Sequence, residues 1–551
     1  MFKLSRYRFV LLATLIAFSA LTGCGGGSGG TGSSTTYTIG GNVSGLTGTG
    51  LILRDLNSDD YSVSANGPFT FKTAVAVTGL YFVTVAQQPS TPSQTCTVAN
   101  GNGTTSAMVT NVQVVCVGGG LVDAWTWISG DPTVGSSGNH GAQGVSTAVA
   151  QPGGRRAGAV TWTDGRGNLW LFGGYGDDDT SPNPTPGYFN DLWKFSGGQW
   201  TWVSGDSTSN QWGVYGDIGI ADADNIPGAR NDAVSWIDSS GNLWLFGGYG
   251  YDVNGTLGYL NDLWVFSGGK WIWKSGDNTV NQAGVYGTKG TAAPGNKPGA
   301  RNKAVKWTDV SGGTLWLFGG SSSPSNYLND MWKYSISSGQ WTSVSGDNTF
   351  NQAGTYGTKN TAANDNIPGA RDSAVSWISS NGTLWLFGGH GYDSIPTLGY
   401  LNDLWTFSGG QWTWVSGDDT VNLPGIYGDV DLSKNKPGAR HSVASWIDGS
   451  GNLWLFGGEG YDEATTFGYI NDLWKYNVGT KQWTWVSGDK LVSQTGTYGT
   501  EGTPHLNNIP GARATTASWF DSRTGLLWLF GGDGFDETTQ GYLNDLWNYA
   551  P

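Results

Sequence analysis

Two histidines and one glutamate are the residues of this sequence best suited to acid–base or metal chemistry. His390 and His441 lie 51 residues apart, and Glu459 follows them. Imidazole and carboxylate groups that are held together can ligate a metal ion or transfer a proton. No short-range ligand spacing joins the three residues, so solvated loop positions are the alternative interpretation. The presence of only four histidines in the chain favours that alternative.

Clustered carboxylates suggest calcium binding as a second kind of chemistry. Asp177–Asp179 and Asp222–Asp224 present several acidic oxygens within short segments. Calcium prefers oxygen ligands, but neither segment has the full spacing of an EF-hand loop. We therefore expect no catalytic residue and no cofactor, and keep calcium as the alternative.

Arginines recur at regular intervals and could form a cationic ring for an acidic ligand. They are Arg156, Arg230, Arg301, Arg371, Arg440 and Arg513. Each repeat also supplies an aspartate within an N-D-L/M-W motif, which is a ready ion-pair partner. These aspartates are Asp191, Asp262, Asp330, Asp403, Asp472 and Asp545. Sixfold repetition favours a structural role over ligand binding, and both interpretations stay open.

The elements that position these residues are repeated along the chain. The segment F-G-G starts at Phe172, Phe246, Phe318, Phe387, Phe456 and Phe530, with spacings of 74, 72, 69, 69 and 74 residues. The second unit contains four strand-like pieces, Arg230–Trp236, Leu243–Gly248, Leu260–Phe266 and Lys270–Trp273. Four short strands per unit, repeated radially, describe a blade of a β-propeller. The L-W-L-F-G-G run is apolar at consecutive positions, as expected for a strand packed between neighbouring blades.

Positions that differ among the units are the preferred candidates for ligand contact. The residue after each glycine pair is Tyr175, Tyr249, Ser321, His390, Glu459 or Asp533, and the residue after each arginine is Ala157, Asn231, Asn302, Asp372, His441 or Ala514. The linker into the first strand and the loop after the second strand emerge on one face, so we expect twelve elongated loops around the channel mouth. Tyr175, Tyr249, Tyr251, Tyr392 and Tyr461 are expected to be exposed there, for sugar stacking or protein contacts.

Tyrosine–tryptophan spacing connects the repeat with a known family. Six residues separate Tyr334 from Trp341, and Tyr476 from Trp483, after a hydrophobic run and a glycine pair. This pattern resembles the kelch repeat and extends over about 430 residues. Three units shorten the hairpin, and the period of about 71 residues exceeds the ~50 usual for kelch. The resemblance implies an all-β fold with a six-bladed kelch propeller, similar to the central domain of galactose oxidase.

The resemblance also suggests enzyme alternatives. The copper site of galactose oxidase needs a cysteine cross-linked to tyrosine, and residues 117–551 contain no cysteine. That site therefore cannot be assembled here. Kelch sialate mutarotases are also six-bladed, and a carbohydrate-active enzyme of this kind stays as an alternative.

The two ends of residues 122–551 are expected to close the propeller. The sixth unit stops at Tyr549 without a fourth strand, whereas an orphan copy of that strand, Trp125–Asp131, precedes the first unit. We expect residues 124–130 to pair with the last blade, which resembles the shared-blade closure of many propellers.

The N-terminus has the features of an export signal. Lys3, Arg6 and Arg8 precede an apolar run that is too short to span a bilayer comfortably. Leu21–Cys24 resembles the lipobox of bacterial lipoproteins, which predicts a signal peptide at 1–23, lipidation of Cys24 and a Gly/Ser tether at 24–35. Gly25 after the cysteine favours the outer membrane or cell surface, with membrane contact through the lipid only. An ordinary secretory signal is the alternative.

Residues 36–117 are expected to form a small Ig-like β-sandwich. Alternating apolar and polar runs are separated by Gly, Asn and Ser, as in short strands joined by turns. Cys96 and Cys116 remain once Cys24 is assigned to lipid, and an exported protein should join them in a disulfide.

Composition limits the remaining choices. The 551 residues include 28 basic and 42 acidic side chains, for a net charge of −14, which argues against a nucleic-acid partner. Aromatic residues make up 13% of the chain and 91 residues are glycine, which suits many short strands and tight turns. We therefore expect a non-catalytic envelope protein that binds a protein or glycan through one propeller face. A purely structural envelope protein is the further alternative.

Overall fold

The computed structural model describes residues 35–56, 59–89, 94–118, 123–135, 138–147, 149–177, 186–428, 431–522 and 524–551. The described chain is all-β, and a 3-10 turn at Leu432–Lys434 is its one helical element. No helix in these ranges has the length and apolar character that a bilayer crossing requires. Two compact units divide the chain, residues 1–119 and 120–551. The predicted signal peptide and Cys24 lie outside the described residues.

The first unit contains two sheets that enclose one core. One sheet has the strand order Gly67–Thr70, Ile39–Ser44, Val109–Gly118, Gln94–Ala99, and the other has the order Asp59–Val63, Leu51–Asp55, Thr84–Gln87. Two further pairs join Thr36–Tyr37 to Val75–Ala76 and Leu80–Phe82 to Asn102–Thr104. Ile39, Leu53 and Phe69 belong to the shared core, and a disulfide joins Cys96 to Cys116.

Six antiparallel blades make up the described part of the second unit. Blade 1 comprises Arg155–Ala157, Val160–Thr163, Leu169–Gly176, Gly187–Ser196 and Gln199–Ser204, and blade 2 comprises Arg230–Asn231, Val234–Ile237, Leu243–Tyr251, Leu257–Ser267 and Lys270–Ser275. Blade 3 comprises Val305–Thr308, Thr314–Phe318, Ser321–Ser323, Asn326–Tyr327, Met331–Ser335 and Gln340–Ser345, and blade 4 comprises Arg371–Asp372, Val375–Ile378, Leu384–Tyr392, Leu398–Ser408 and Gln411–Ser416. Blade 5 comprises Arg440–His441, Ala444–Ile447, Leu453–Phe456, Glu459–Tyr461, Phe467–Tyr469, Leu473–Asn477 and Gln482–Ser487, and blade 6 comprises Arg513–Ala514, Ala517–Asp521, Leu526–Phe535, Gln540–Ala550 and Ala124–Ser129. This arrangement is a β-propeller.

The L-W-L-F strand packs against both neighbouring blades, which explains its uninterrupted apolar sequence. In blade 2, Leu243 and Leu245 join a core with Phe172 of blade 1, whereas Trp244 and Phe246 join the core of blade 3. Alternate side chains of one strand therefore fill two different interfaces. Each interface removes large aromatic surfaces from water, so every blade depends on its neighbours.

The glycine pair that follows this strand lets two blades approach closely. Gly247 has a φ of +63°, and a Cβ atom on it would lie 2.7 Å from the Arg301 carbonyl oxygen of the next blade. The Gly248 N–H donates to that same carbonyl at 2.9 Å. Only glycine satisfies both the left-handed backbone and the close contact.

The ends of the second unit meet in blade 6. Ala124–Ser129 forms the outermost strand and pairs antiparallel with Gln540–Ala550, with Trp125 opposite Tyr549. Blade 6 also joins blade 1, because the Trp519 indole N–H donates to the Trp170 carbonyl at 3.1 Å. The ring of blades is thus closed by hydrogen bonds at both places.

The long linkers do not serve only as loops around the mouth, which differs from the sequence-based expectation. Each linker also runs along the outermost strand of its own blade. Gly219, Gly290 and Asn360 donate their N–H groups to the carbonyls of Trp273, Ser343 and Trp414, each at 2.7 Å. The extra residues of the repeat therefore cover strand edges that would otherwise expose unpaired backbone groups.

Candidate functional site

The repeated arginines lie inside the blades and do not face a ligand. Arg230, Arg301, Arg371, Arg440 and Arg513 are each at most 1% exposed. In blade 2, the two terminal nitrogens of Arg230 lie 2.6 and 2.8 Å from the carboxylate oxygens of Asp262. The Arg230 Nε group donates to the Gly228 carbonyl at 2.9 Å. The structural role that sixfold repetition favoured agrees with this burial, and the alternative of a cationic ring facing a ligand does not, because these guanidinium groups are bonded within their own blades.

Arg155, not Arg156, occupies the corresponding place in blade 1. Arg155 is 2% exposed and donates to Asp191. One extra residue follows it before the strand pairing resumes, which appears as a register shift between Arg155 and Ala157. The side chain of Arg156 lies outside the described residues.

A tyrosine from the linker and a tryptophan complete each ion pair. Tyr215 OH and Trp264 Nε1 both donate to Asp262 at 2.7 Å. The equivalent tyrosines are Tyr286, Tyr356, Tyr427 and Tyr498. In blade 1, His140 takes this place with its Nε2 atom 3.1 Å from Asp191. Burial raises the pKa of Tyr215 well above its ordinary value, so its hydroxyl stays protonated and donates.

Six residues with positive φ, one from each blade, line a central cavity and form what we call the annulus. They are Gly158, Asp232, Lys303, Ser373, Ser442 and Thr515, with φ between 52° and 61°. The N–H of each residue from Asp232 onward donates to the carbonyl of the preceding member at 2.9–3.0 Å. These backbone hydrogen bonds join consecutive blades at the centre of the propeller.

The two sets of variable positions are paired with each other immediately above the annulus. The pairs are Ala157 with Tyr175, Asn231 with Tyr249, Asn302 with Ser321, Asp372 with His390, His441 with Glu459, and Ala514 with Asp533. We call these six pairs the variable ring. The positions that differ among the blades therefore lie together at one level of the channel mouth.

The structure brings His390, His441 and Glu459 together. His441 Nε2 lies 3.2 Å from Glu459 Oε2, and the two imidazole rings have centroids 6.3 Å apart. The side chains of His441 and Glu459 are 16% and 33% exposed, so a ligand can reach both. Burial lowers the pKa of His390, which favours the neutral imidazole, and Tyr327 OH lies 3.0 Å from its Nδ1 atom.

Lys303 and Asp232 add opposite charges to the same region, and the sequence analysis did not single them out. The Asp232 carboxylate raises the pKa of Lys303, with Asp372 and Glu459 adding to the effect, so the ammonium group stays charged. Burial raises the pKa of Asp232, and Lys303 opposes that shift. Among the described residues, no carboxylate forms an ion pair within 4 Å of the Lys303 ammonium group. Its charge is therefore held near carboxylates without direct contact.

A tyrosine from the third strand of every blade surrounds the mouth, and it too was missed. These residues, which we call the tyrosine collar, are Tyr188, Tyr259, Tyr327, Tyr400, Tyr469 and Tyr542. Tyr400 contacts His441 of the next blade with ring centroids 5.1 Å apart. Burial and neighbouring acidic groups raise the pKa of Tyr188 and of Tyr327 to about 12. The signal was available, since a tyrosine stands two residues before every N-D-L/M-W motif.

The tyrosines expected to be exposed are half-buried in this collar. Tyr175 packs against Tyr188 at 4.9 Å between ring centroids, and Tyr249 packs against Tyr259 at 5.0 Å. A cavity of about 270 Å³ opens beside them, lined by Asn231, Asp232, Tyr249, Tyr259, Asn302, Lys303 and Pro324. A second cavity of about 170 Å³ lies in the channel, lined by the annulus and the residues that follow it.

The remaining acidic clusters do not form a metal site in the part of the chain described. No group of three or more His, Cys, Asp or Glu side chains suited to a metal ion occurs there. Asp222 instead accepts the N–H of Asp224 at 3.0 Å, which is a local turn contact. Asp178 and Asp179 lie outside the described residues.

Comparison with known proteins agrees with this architecture. A model of the KLHDC2/KLHL20/DRC7 Kelch-repeats domain matches residues 288–487, which span blades 3 to 5. No curated protein matches the chain. The match covers about a third of the chain and supports kelch repeats at residues 288–487, and the antiparallel blades of the second unit are consistent with an all-β propeller of the kelch type.

Proposed function

We propose that the chain is a non-catalytic binding protein that takes a protein or glycan ligand at the mouth of the propeller channel. The pairing of the variable positions into one ring supports the proposal. Residues repeated in all blades stabilise the scaffold, whereas residues that differ converge on a single surface. Kelch repeats in general suggest a protein-binding propeller, and rigid scaffolds commonly present recognition residues in this way.

The chemistry of the mouth limits what the ligand is. Blades 3 to 5 present an ammonium group at Lys303, carboxylates at Asp372 and Glu459, and imidazoles at His390 and His441. The tyrosine collar lies around these groups. A ligand that fits must therefore donate and accept hydrogen bonds at its centre and offer an apolar face to aromatic rings. A sugar ring, or a peptide segment with a polar tip, meets both conditions.

Ligand screening with a mouth variant tests the proposal. The mature chain is applied to a glycan array and used to capture proteins from an envelope extract, beside a His390→Ala/Glu459→Ala variant. We expect a ligand that binds the unsubstituted chain and binds the variant at least tenfold more weakly, which corresponds to 1.4 kcal/mol. Equal binding by both proteins, or no saturable ligand at all, would overturn the proposal. The second result would favour a purely structural envelope protein.

A carbohydrate-active enzyme is the second candidate, and the contact between His441 and Glu459 favours it. An imidazole beside a carboxylate is a common general-base arrangement. Assays of sialic acid anomer interconversion test this candidate. If the chain interconverts the anomers, and each of the single variants His441→Ala and Glu459→Ala loses this turnover, an enzymatic function would replace the binding proposal.

We also propose that the chain is a lipid-anchored envelope protein. Leu21–Cys24 and the apolar run before it support this location. Mass spectrometry of the N-terminal peptide tests it. A diacylglyceryl-modified Cys24 supports the anchor, and an unmodified Cys24 or a different mature N-terminus contradicts it.

A further inference from the structure

We propose that an apolar patch on the first unit rests on the membrane surface to which the chain is tethered. The end patch, as we call it, consists of Leu56, Val77, Leu80, Phe82 and Met108. These side chains are between 41% and 68% exposed. Among the described residues of this unit, Val115 is the one other large apolar side chain exposed to that degree. Clustered exposure of this kind marks an interaction surface.

Backbone contacts place the members of the end patch near one another. The Phe82 N–H donates to the Asp55 carboxylate at 2.7 Å, which brings Leu56 beside Phe82. Leu80 and Phe82 lie two residues apart on one strand and share its outward face, while Tyr81 between them is buried at 9% exposure. A solvated strand would carry polar residues at these outward positions.

The patch lies where the chain enters the unit. The Val77 N–H donates to the Thr35 carbonyl at 2.9 Å, and the Val109 N–H, next to Met108, donates to the Thr38 carbonyl at 3.0 Å. Thr35 is the first described residue, so Val77 and Met108 of the end patch lie close to the point where the chain enters the unit.

The length of that segment limits the distance between the patch and the bilayer. Eleven residues lead from Cys24 to Thr35, and they are rich in glycine and serine. Eleven residues reach at most about 40 Å, whatever conformation they adopt. The end patch is therefore held close to the lipid headgroups whenever Cys24 carries an acyl anchor. Because the tether keeps the local concentration of bilayer high, weak apolar contacts suffice for occupancy.

The proposal rests on the proposed lipid anchor, and the experiment separates the two. Cys24 is the one thiol left free by the Cys96–Cys116 disulfide, so the mature chain can be coupled through it to a maleimide lipid in phosphatidylcholine vesicles. This coupling does not depend on lipidation in cells. Hydrogen exchange is then measured over residues 77–83 and 102–108, with and without vesicles.

We expect exchange in both segments to slow several-fold on tethering, and to return to the free rate in a Leu80→Ser/Phe82→Ser variant. Val115→Ser is the matched control, since Val115 is 43% exposed on the same unit but lies six residues along its strand from Val109. This control should keep the protection. Unchanged exchange on tethering, or protection that survives the double substitution, would overturn the proposal. Concentration-dependent protection without vesicles would also overturn it, because a second copy would then be the occupant.

Discussion

His441 and Glu459 face each other on two paired strands of blade 5, with Nε2 and Oε2 3.2 Å apart. The same backbone positions hold Asp372 and His390 in blade 4, and Asn231 and Tyr249 in blade 2. One scaffold position therefore carries a different chemistry in each blade. The predictions below separate the residues that maintain this scaffold from those that use it.

Removal of a buried arginine should destabilise the propeller strongly. Arg371→Met leaves the Asp403 carboxylate buried without its cation, which costs about 3–5 kcal/mol. Lys434→Met in the same unit is the control, because the Lys434–Asp431 pair is solvent-exposed and should contribute little. Urea unfolding followed by tryptophan fluorescence measures the effect, since all 30 tryptophans lie in the second unit. Equal stability of the two variants would contradict the structural role of the arginine.

The closing strand should contribute to stability through Trp125. This side chain is 1% exposed and packs on Phe456 and Tyr549 with ring centroids 5.1 Å away. Trp125→Ala should lower the free energy of unfolding by about 3–5 kcal/mol. Trp212→Ala, at a position 59% exposed, should change it little. If removal of residues 123–131 leaves the melting temperature unchanged, the closure of blade 6 by this strand is wrong.

Gly247 should be much less tolerant of substitution than Gly241, although both have positive φ. A Cβ atom at Gly247 would meet the Arg301 carbonyl oxygen at 2.7 Å, whereas Gly241 has open space around it. Gly241→Ala should cost about 1–2 kcal/mol for the left-handed backbone alone. Gly247→Ala should cost clearly more, as measured by urea unfolding. Equal costs would mean that the blades are not in close contact there.

Lys306 should make the stability of the propeller depend on pH. It lies on the first strand of blade 3, where the other blades have Thr161, Ser235, Ser376, Ser445 and Ser518. Burial lowers the pKa of Lys306 from 10.5 to about 8. Between these two values the unfolded chain binds the proton and the folded chain does not, so stability rises with pH by up to about 1.4 kcal/mol per unit.

Comparison of the unsubstituted chain with Lys306→Ser isolates this contribution. The variant should be the more stable protein at pH 7, and its advantage should shrink as the pH rises from 8 to 10. Unfolding free energies from urea titrations at several pH values provide the measurement. A difference that stays constant over this range would show that Lys306 has an ordinary pKa in the folded state.

Much of the scaffold could be predicted from the sequence, because repetition makes its physical constraints visible. The uninterrupted L-W-L-F run indicated a strand between two neighbours, and the absence of a last strand indicated pairing with Trp125–Asp131. The parallel pairing of Val109–Gly118 with Ile39–Ser44 could not be predicted, since alternation has the same period in both strand directions. The assignment of Arg156 failed because one inserted residue shifts the motif by a single position.

The mouth was predicted in part. The positions that vary among blades were identified, but their mutual pairing depends on strand register. Lys303 and Asp232 escaped notice because their role depends on the annulus, which brings distant blades within electrostatic range. The tyrosine collar escaped notice for the opposite reason: it is repeated in every blade, and repetition was interpreted as purely structural.

The most direct test of the binding proposal is the affinity of a captured ligand for Lys303→Met compared with Lys333→Met. Both lysines belong to blade 3, but Lys333 lies over the Trp316 ring on the third strand, away from the variable ring. Isothermal titration should show at least tenfold weaker binding for Lys303→Met and unchanged binding for Lys333→Met. Unchanged affinity in Lys303→Met, with the fold intact by thermal melting, would contradict a binding site at the channel mouth.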